Sequence, residues 1–179
     1  LRADAGGVRY EMEYERAAEA DWLQWTWQRI VLMHALPARG RGLVAHGTGF
    51  QLPDGGIVLA PGISGTGKST LARALMADAP DVVRVLGDDR VAITDEGGRA
   101  WAWATPWASQ ADAVAVGDGP LAAIVLLQRG SGGLVREVRP REAGRLLMRT
   151  LGFPFWDEAA LSTGFTLLER MLEQARLLE

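Results

Sequence analysis

Between an apolar stretch at residues 56–60 and a helix-forming stretch at residues 70–79, the chain places Gly62-Ile63-Ser64-Gly65-Thr66-Gly67-Lys68-Ser69. No other feature limits the fold as strongly. A G-x-x-x-x-G-K-[ST] run that joins a strand to a helix turns its backbone N–H groups toward phosphate oxygens. The lysine ammonium reaches the β/γ-phosphates, and the following hydroxyl is placed to ligate Mg²⁺. Lys68 is also the one lysine in the chain, the other eighteen basic side chains being arginine. Arginine is a planar fork, whereas lysine is a compact ammonium on a flexible stem. A position that keeps lysine against such a bias has a narrow geometric demand. The expectation is an α/β nucleoside-triphosphate-binding domain.

Composition bounds the rest. At 179 residues the chain is expected to form one domain, 1–179, with enough length to bury a substantial core. Within it we expect an N-terminal strand and helix extension over 1–42, a nucleotide-binding core over 43–130 and a largely helical part over 131–179. A net charge of −3 produces no general attraction to nucleic acid or anionic membrane, so neither is expected as a partner. The absence of cysteine removes disulfides and thiolate metal sites. No apolar run is long enough to span a membrane, and the first residues lack a signal-peptide pattern. A cytoplasmic location is expected, because nucleoside triphosphates are there. The start at Leu1 leads us to expect a few preceding native residues. There is no asparagine, hence no N-glycosylation acceptor and no Asn-Lys-x-Asp guanine signature. ATP is the expected nucleotide.

Alternation at Val8, Tyr10, Met12 and Tyr14 predicts a short strand, and residues 15–36 predict a helix ended by Pro37 and Gly40. Residues 43–52 and 56–60 read as strands around a Pro53-Asp54-Gly55 turn. After the glycine-rich loop, Leu71, Ala74, Leu75 and Ala79 form one face of a helix stopped by Pro80. Residues 82–86 predict a strand, and residues 90–94 and 99–105 a second hairpin. The apolar run 121–127 predicts a strand buried on both faces. Residues 134–138 alternate, Pro140 opens a helix to about Leu151, and residues 156–179 read as largely helical. Leu161, Phe165, Leu168, Met171 and Leu172 are the expected buried stripe of that last helix. Hairpins among the strands predict a mixed sheet.

Phosphoryl transfer depends on positioning and charge neutralisation more than on covalent chemistry. Candidate nucleotide-binding residues are Gly62, Ser64, Gly65, Thr66, Gly67, Lys68, Ser69, Thr70 and, just after the 121–127 run, Arg129. Thr70 also fits as the first turn of the helix. Asp88 and Asp89 follow an apolar strand about twenty residues past Lys68, where a metal-binding carboxylate belongs. One carboxylate then serves Mg²⁺ with Ser69 and the other accepts the proton of an acceptor hydroxyl. Gly87-Asp88-Asp89 is equally ordinary turn chemistry.

The stretches Pro61-Gly62-Ile63-Ser64-Gly65-Thr66-Gly67-Lys68-Ser69-Thr70, Leu86-Gly87-Asp88-Asp89-Arg90-Val91 and Ala104-Thr105-Pro106-Trp107 resemble the kinase domain of HPr kinase/phosphorylase. They also resemble its shorter relatives, among them kinases of lasso-peptide gene clusters that modify precursor peptides. His46-Gly47 is similar to the His-Gly that precedes the loop in those enzymes. The resemblance covers roughly residues 43–130. It implies a P-loop fold like the nucleotide domain of phosphoenolpyruvate carboxykinase, with a mixed sheet and ATP-dependent transfer to a serine hydroxyl. By the same match, Lys68 and Ser69 hold phosphate and metal, Asp88 and Asp89 supply base and metal contact, and His46 lies near the transferred phosphate. Thr70 departs from the family, which carries glutamate there. The glycine-rich phosphorylase signature and room for the separate N-terminal domain are also absent. A short single-domain relative fits better than the bifunctional enzyme. The acceptor is a peptide, a protein or a small hydroxyl compound, and oligomeric state is silent. A nucleotide-binding regulatory or assembly protein without kinase activity is the alternative, and a metabolite kinase of the adenylate-kinase type would want an arginine-rich lid.

Other residues carry two readings each. His46 is a phosphate-proximal acid/base or a satisfied sheet histidine, and His34 reads as structural. Arg141, Arg145 and Arg149 recur every four residues near Arg136 and Arg139. They bind an acidic peptide or phosphate, or they are a solvated face interleaved with Glu137 and Glu142. Trp22, Trp25, Trp27, Trp101 and Trp103 read as packing, and Trp107 as a lining residue of the nucleotide or acceptor site.

Overall fold

The computed structural model describes residues 2–3, 10–11, 20–107, 115–128 and 135–179, with side chains from residue 28 onward. A two-stranded ribbon, β1 (Arg2–Ala3) and β2 (Tyr10–Glu11), precedes α1 (Ala20–Ala38). Most of the strand expected at residues 8–14 lies outside the described residues, as do the side chains of Trp22, Trp25 and Trp27.

Strand β3 (Gly42–Gln51) organises the sheet because its two halves serve different neighbours. Gly42–His46 runs antiparallel to β6 (Arg90–Glu96), and Gly47–Gln51 runs antiparallel to β4 (Ile57–Pro61). On its other edge the second half pairs with β5 (Arg84–Gly87), with a register shift between Gly49 and Phe50. The path continues from β6 through β7 (Arg99–Ala104) to β8 (Asp118–Val125). A parallel pairing of β4 with β8 then closes it into a small barrel, and β9 (Arg176–Leu178) adds a parallel strand beyond β8. The result is α/β with a mixed sheet, as the hairpins predicted.

The remaining helices are α2 (Lys68–Asp78), α3 (Pro140–Thr150) and α4 (Glu158–Gln174). Leu43, Ile57, Leu59, Val91, Ile93, Ile124, Leu147 and Met171 belong to the main core between the sheet and α3/α4. Phe50, Ala60, Ala72 and Val85 form a second, smaller core beneath α2. Among the described residues no helix is long and apolar enough to cross a membrane.

Several local expectations are corrected. Pro37 lies inside α1 rather than ending it. The helix closes on Gly40, whose φ of 59° suits glycine, through Gly40 N–H to Pro37 O (2.8 Å) and Arg41 N–H to Leu36 O (2.9 Å). In α2 the buried residues are Lys68 and Ala72, with Leu71 and Leu75 packed on the second core as expected, whereas Ala74 is exposed, because the face toward that core is set by Phe50 and Val85. Val82 precedes β5 and is exposed. Strand β8 is only half buried along one side, with Ala122 and Val125 partly open. In α4 the buried residues are Ala160, Gly164, Leu167, Leu168 and Met171. Phe165 instead stacks on Phe153 (5.1 Å between centroids) and stays 38 % exposed. The C-terminal segment ends in β9, not in helix, because β8 offers it an open edge to pair with.

Candidate functional site

Strand β3 brings the two motifs together through its backbone. The N–H of Gly62, at the start of the loop, donates to His46 O (3.1 Å), and the N–H of Gly47 donates to Asp89 O (3.2 Å). This close approach explains the glycine after His46. A Cβ at position 47 would lie 2.9 Å from Ala60 O and 3.0 Å from the Pro61 Cα, so any side chain would push β4 away.

The loop leaves β4 at Pro61 and enters α2 at Lys68. Gly65 (φ 84°) and Gly67 (φ 98°) both occupy the left-handed region that costs other residues about 1–2 kcal/mol. Gly67 is the N-cap of α2 and supplies no side-chain cap, so the first-turn N–H groups and the positive end of the helix dipole are available to an anion. Lys68 is 6 % exposed, and its Nζ donates to Ile63 O at 2.9 Å across the loop. Burial pulls its pKa down, while Asp89 and then Asp88 oppose that.

Asp88 and Asp89 form the bend between β5 and β6 and sit in different surroundings. Asp88 is 1 % exposed. Asp89 is partly open and meets several basic side chains. Its Oδ1 accepts from Arg90 Nη1 at 3.0 Å and lies 3.5 Å from His46 Nε2, and its Oδ2 lies 3.7 Å from Arg29 Nη1. Arg90 Nη1 also donates to the Asp89 carbonyl at 2.9 Å, and Thr105 Oγ1 donates to Arg90 O at 2.7 Å. Burial, then the charges of Arg90 and Lys68, lower the His46 pKa to about 4. A pKa that low leaves the His46 ring uncharged at neutral pH.

A polar cleft of about 450 Å³ is lined by His46, Ser64, Gly65, Gly67, Lys68, Ser69, Thr70, Arg73, Asp88 and Asp89. Of the residues expected from sequence, Gly62 and Thr66 do not line it. A Cβ on Gly62 would overlap Thr66 Oγ1, and that hydroxyl donates back to Ile63 O (3.0 Å), so both shape the loop rather than face the cleft. Arg129 lies outside the described residues. The donors fit a polyphosphate with Mg²⁺: open N–H groups and one ammonium for the anion, and the hard oxygens of Ser69 and Asp88 for the cation. Sequence reasoning missed Arg29, Arg73 and the role of Arg90. Arg90 was within reach as the neighbour of Asp89, whereas Arg29 arrives from α1 with no local signal.

A larger groove of about 910 Å³ lies beyond this cluster, between α1 and the β6/β7 hairpin. Trp107 is 5 % exposed and lines this groove rather than the polar cleft. Trp101 and Trp103 are not simply packed. Their indole N–H groups donate to Asp118 Oδ2 and Thr94 Oγ1, both at 2.8 Å, and Trp103 also borders the groove. His34 stacks on Trp156 at 5.3 Å between centroids, in keeping with its structural reading.

Comparison with protein-family models, with curated proteins and with solved structures returns no match for this chain, so the site is read from its own geometry.

Proposed function

We propose that this chain is an ATP- and Mg²⁺-dependent phosphotransferase of the HPr kinase-like group, built on a P-loop nucleotide-binding fold. It moves the γ-phosphate to a serine-type hydroxyl on a peptide, a protein or a small molecule, in the cytoplasm. The observation that supports this reading is the meeting of a buried loop lysine, two unequal carboxylates and an uncharged histidine in one polar cleft.

When bound, Mg·ATP supplies the transferable phosphoryl group and the charge neutralisation that its transfer needs. The residues divide the remaining work by environment. Lys68 and the first-turn N–H groups of α2 hold the phosphates. Ser69 and Asp88 offer oxygen ligands for Mg²⁺, and the near-complete burial of Asp88 keeps that position constant. Asp89 is the base. Its Oδ1 is held by Arg90 and approached by His46, whereas among the described residues Oδ2 has the longer Arg29 contact, so Oδ2 takes the acceptor's proton. The uncharged His46 helps to fix the Asp89 carboxylate without adding a competing charge.

Incubation with γ-labelled ATP and a panel of serine-containing peptides, followed by mass spectrometry, tests the reading. A gain of one phosphate on a peptide, lost in the Lys68→Met and Asp89→Asn variants, is the expected result. Nucleotide binding with no labelled acceptor across the panel, coupled to nucleotide-dependent partner binding, would instead favour a regulatory or assembly role.

A further inference from the structure

Helix α3 divides its residues sharply. Ala143, Leu147 and Thr150 are buried, while Arg139, Arg141, Arg145 and Arg149 are exposed. The two carboxylates that sequence interleaves with these arginines are engaged elsewhere. Glu142 pairs with Arg136 at 3.9 Å, and Glu137 with Arg176 at 3.5 Å. Arg136 also pairs with Glu179. Arg141, Arg145 and Arg149 are left with no ion pair among the described residues, in a chain whose net charge is −3. A local excess of unpaired cations against an acidic background marks a surface that attracts anions.

Spacing narrows the kind of anion. Four residues of α-helix rise about 6 Å, so the three guanidinium groups repeat at about that interval along one stripe. In an extended peptide, side chains on one face recur every 6.4–6.8 Å or so, which nearly matches. Carboxylates at alternate positions can therefore each meet one arginine, and the guanidinium fork accommodates a carboxylate with two hydrogen bonds.

Position links the stripe to the site. Helix α3 packs on β3 and β4, the strands that carry His46 and lead into the glycine-rich loop. Its last turn runs into Leu151, which bridges to Ala45, the residue before His46, and Gly152 N–H donates to Val44 O at 2.9 Å.

We propose that Arg141, Arg145 and Arg149 dock an acidic, extended segment of the polypeptide acceptor. Calling that segment part of the acceptor rests on the phosphotransferase reading; the docking itself needs no nucleotide. The commitment is to polypeptide rather than nucleic acid, because the cations are confined to one short helix face on an acidic chain. A nucleic-acid site would be expected to extend a basic surface further.

The test is fluorescence anisotropy at low salt without nucleotide, using a labelled extended peptide with glutamate at alternate positions. A glutamine counterpart and a single-stranded oligonucleotide of equal charge serve as comparisons. The wild-type chain is expected to bind the glutamate peptide, to lose binding as salt is raised, and to ignore the glutamine peptide. Replacing all three arginines (Arg141→Gln, Arg145→Gln, Arg149→Gln) should weaken binding by roughly tenfold or more, and the three Arg→Lys changes should restore only part of it, because an ammonium keeps the charge but lacks the fork. Circular dichroism checks that each variant is folded. No binding to the glutamate peptide, equal binding by the folded triple glutamine variant, or tighter binding of the oligonucleotide would each overturn the proposal. Lys68→Met keeps the two readings separable. It should retain docking while losing ATP, so normal ATP binding there defeats the phosphotransferase reading and leaves the docking result standing.

Discussion

Two neighbouring concave regions, the polar cleft and the groove beside α1, differ in their chemistry. The smaller cleft is polar and built from a turn-rich loop, a helix start and a strand end. The larger groove is walled by Val31, Leu32, Ala35 and Leu36 of α1 and by Ala92, Ala104 and Trp107 from the hairpin side. Size points to the groove, while chemistry points to the cleft. They meet where Gln28 and Thr105 line the groove while Arg29, next in chain to Gln28, reaches Asp89 and the Thr105 hydroxyl holds the Arg90 carbonyl. The lesson is that reactive groups cluster where backbone N–H groups and charges converge, and an apolar cavity, however large, offers surface rather than chemistry.

The sharpest way to break this contrast is to remove a carboxylate. Asp88→Asn and Asp89→Asn are each expected to lower phosphate transfer by ~10²–10⁴-fold, read by mass spectrometry of the acceptor, with ATP still bound in the Asp89→Asn protein. Undiminished transfer in both would remove the cleft from the chemistry.

The next effect is on stability against pH. The folded His46 pKa of about 4 lies below its unfolded value of 6.5, so the folded state prefers the uncharged ring. Its contribution is fully present above pH 6.5 and is lost as pH falls toward 4. Urea unfolding across that window should show a shallower acid decline in His46→Gln than in the wild-type chain.

Lys68→Met removes the ammonium that on this reading holds the phosphates, so ATP binding by calorimetry should weaken ~10–100-fold. Thr105→Val leaves the Arg90 carbonyl without its hydroxyl donor, a loss of about 1 kcal/mol in denaturant unfolding, with a smaller effect on transfer through Asp89. The smallest expected effect belongs to the groove. Ala35→Trp, on its wall, should leave the Mg·ATP dissociation constant within about twofold. A large loss there would show that the two regions act as one site.

Much of the cleft was legible in the chain because its signals are local. Glycines at 65 and 67 are where a positive φ is needed, and the strand, loop and helix order around Lys68 follows from residue patterns only a few positions long. Both hairpins were legible for the same reason: Gly55 and the Gly97-Gly98 pair sit at positive φ in their turns. The buried face of α4 was legible at Leu168 and Met171, with Leu161 and Leu172 packed beside them, but not in the choice of Leu167 over Phe165, which are equally apolar, so that only the surface beneath decides which is covered. Strand β9 was not legible either, since three residues carry no period and their pairing depends on an edge contributed by β8.

Sequence by itself determined the glycine-rich loop between strand and helix, the adjacent carboxylates and the mixed, hairpin-rich α/β character, all set by short-range backbone preference and residue order. Tertiary structure alone decided that β3 would pair with β4, β5 and β6 and so tie Gly62 and Asp89 to His46-Gly47. It also brought Arg29 across from α1 to Asp89 and left Arg141, Arg145 and Arg149 with no ion pair among the described residues. Those outcomes rest on packing between segments far apart in the chain, and no local pattern encodes which distant charge will arrive.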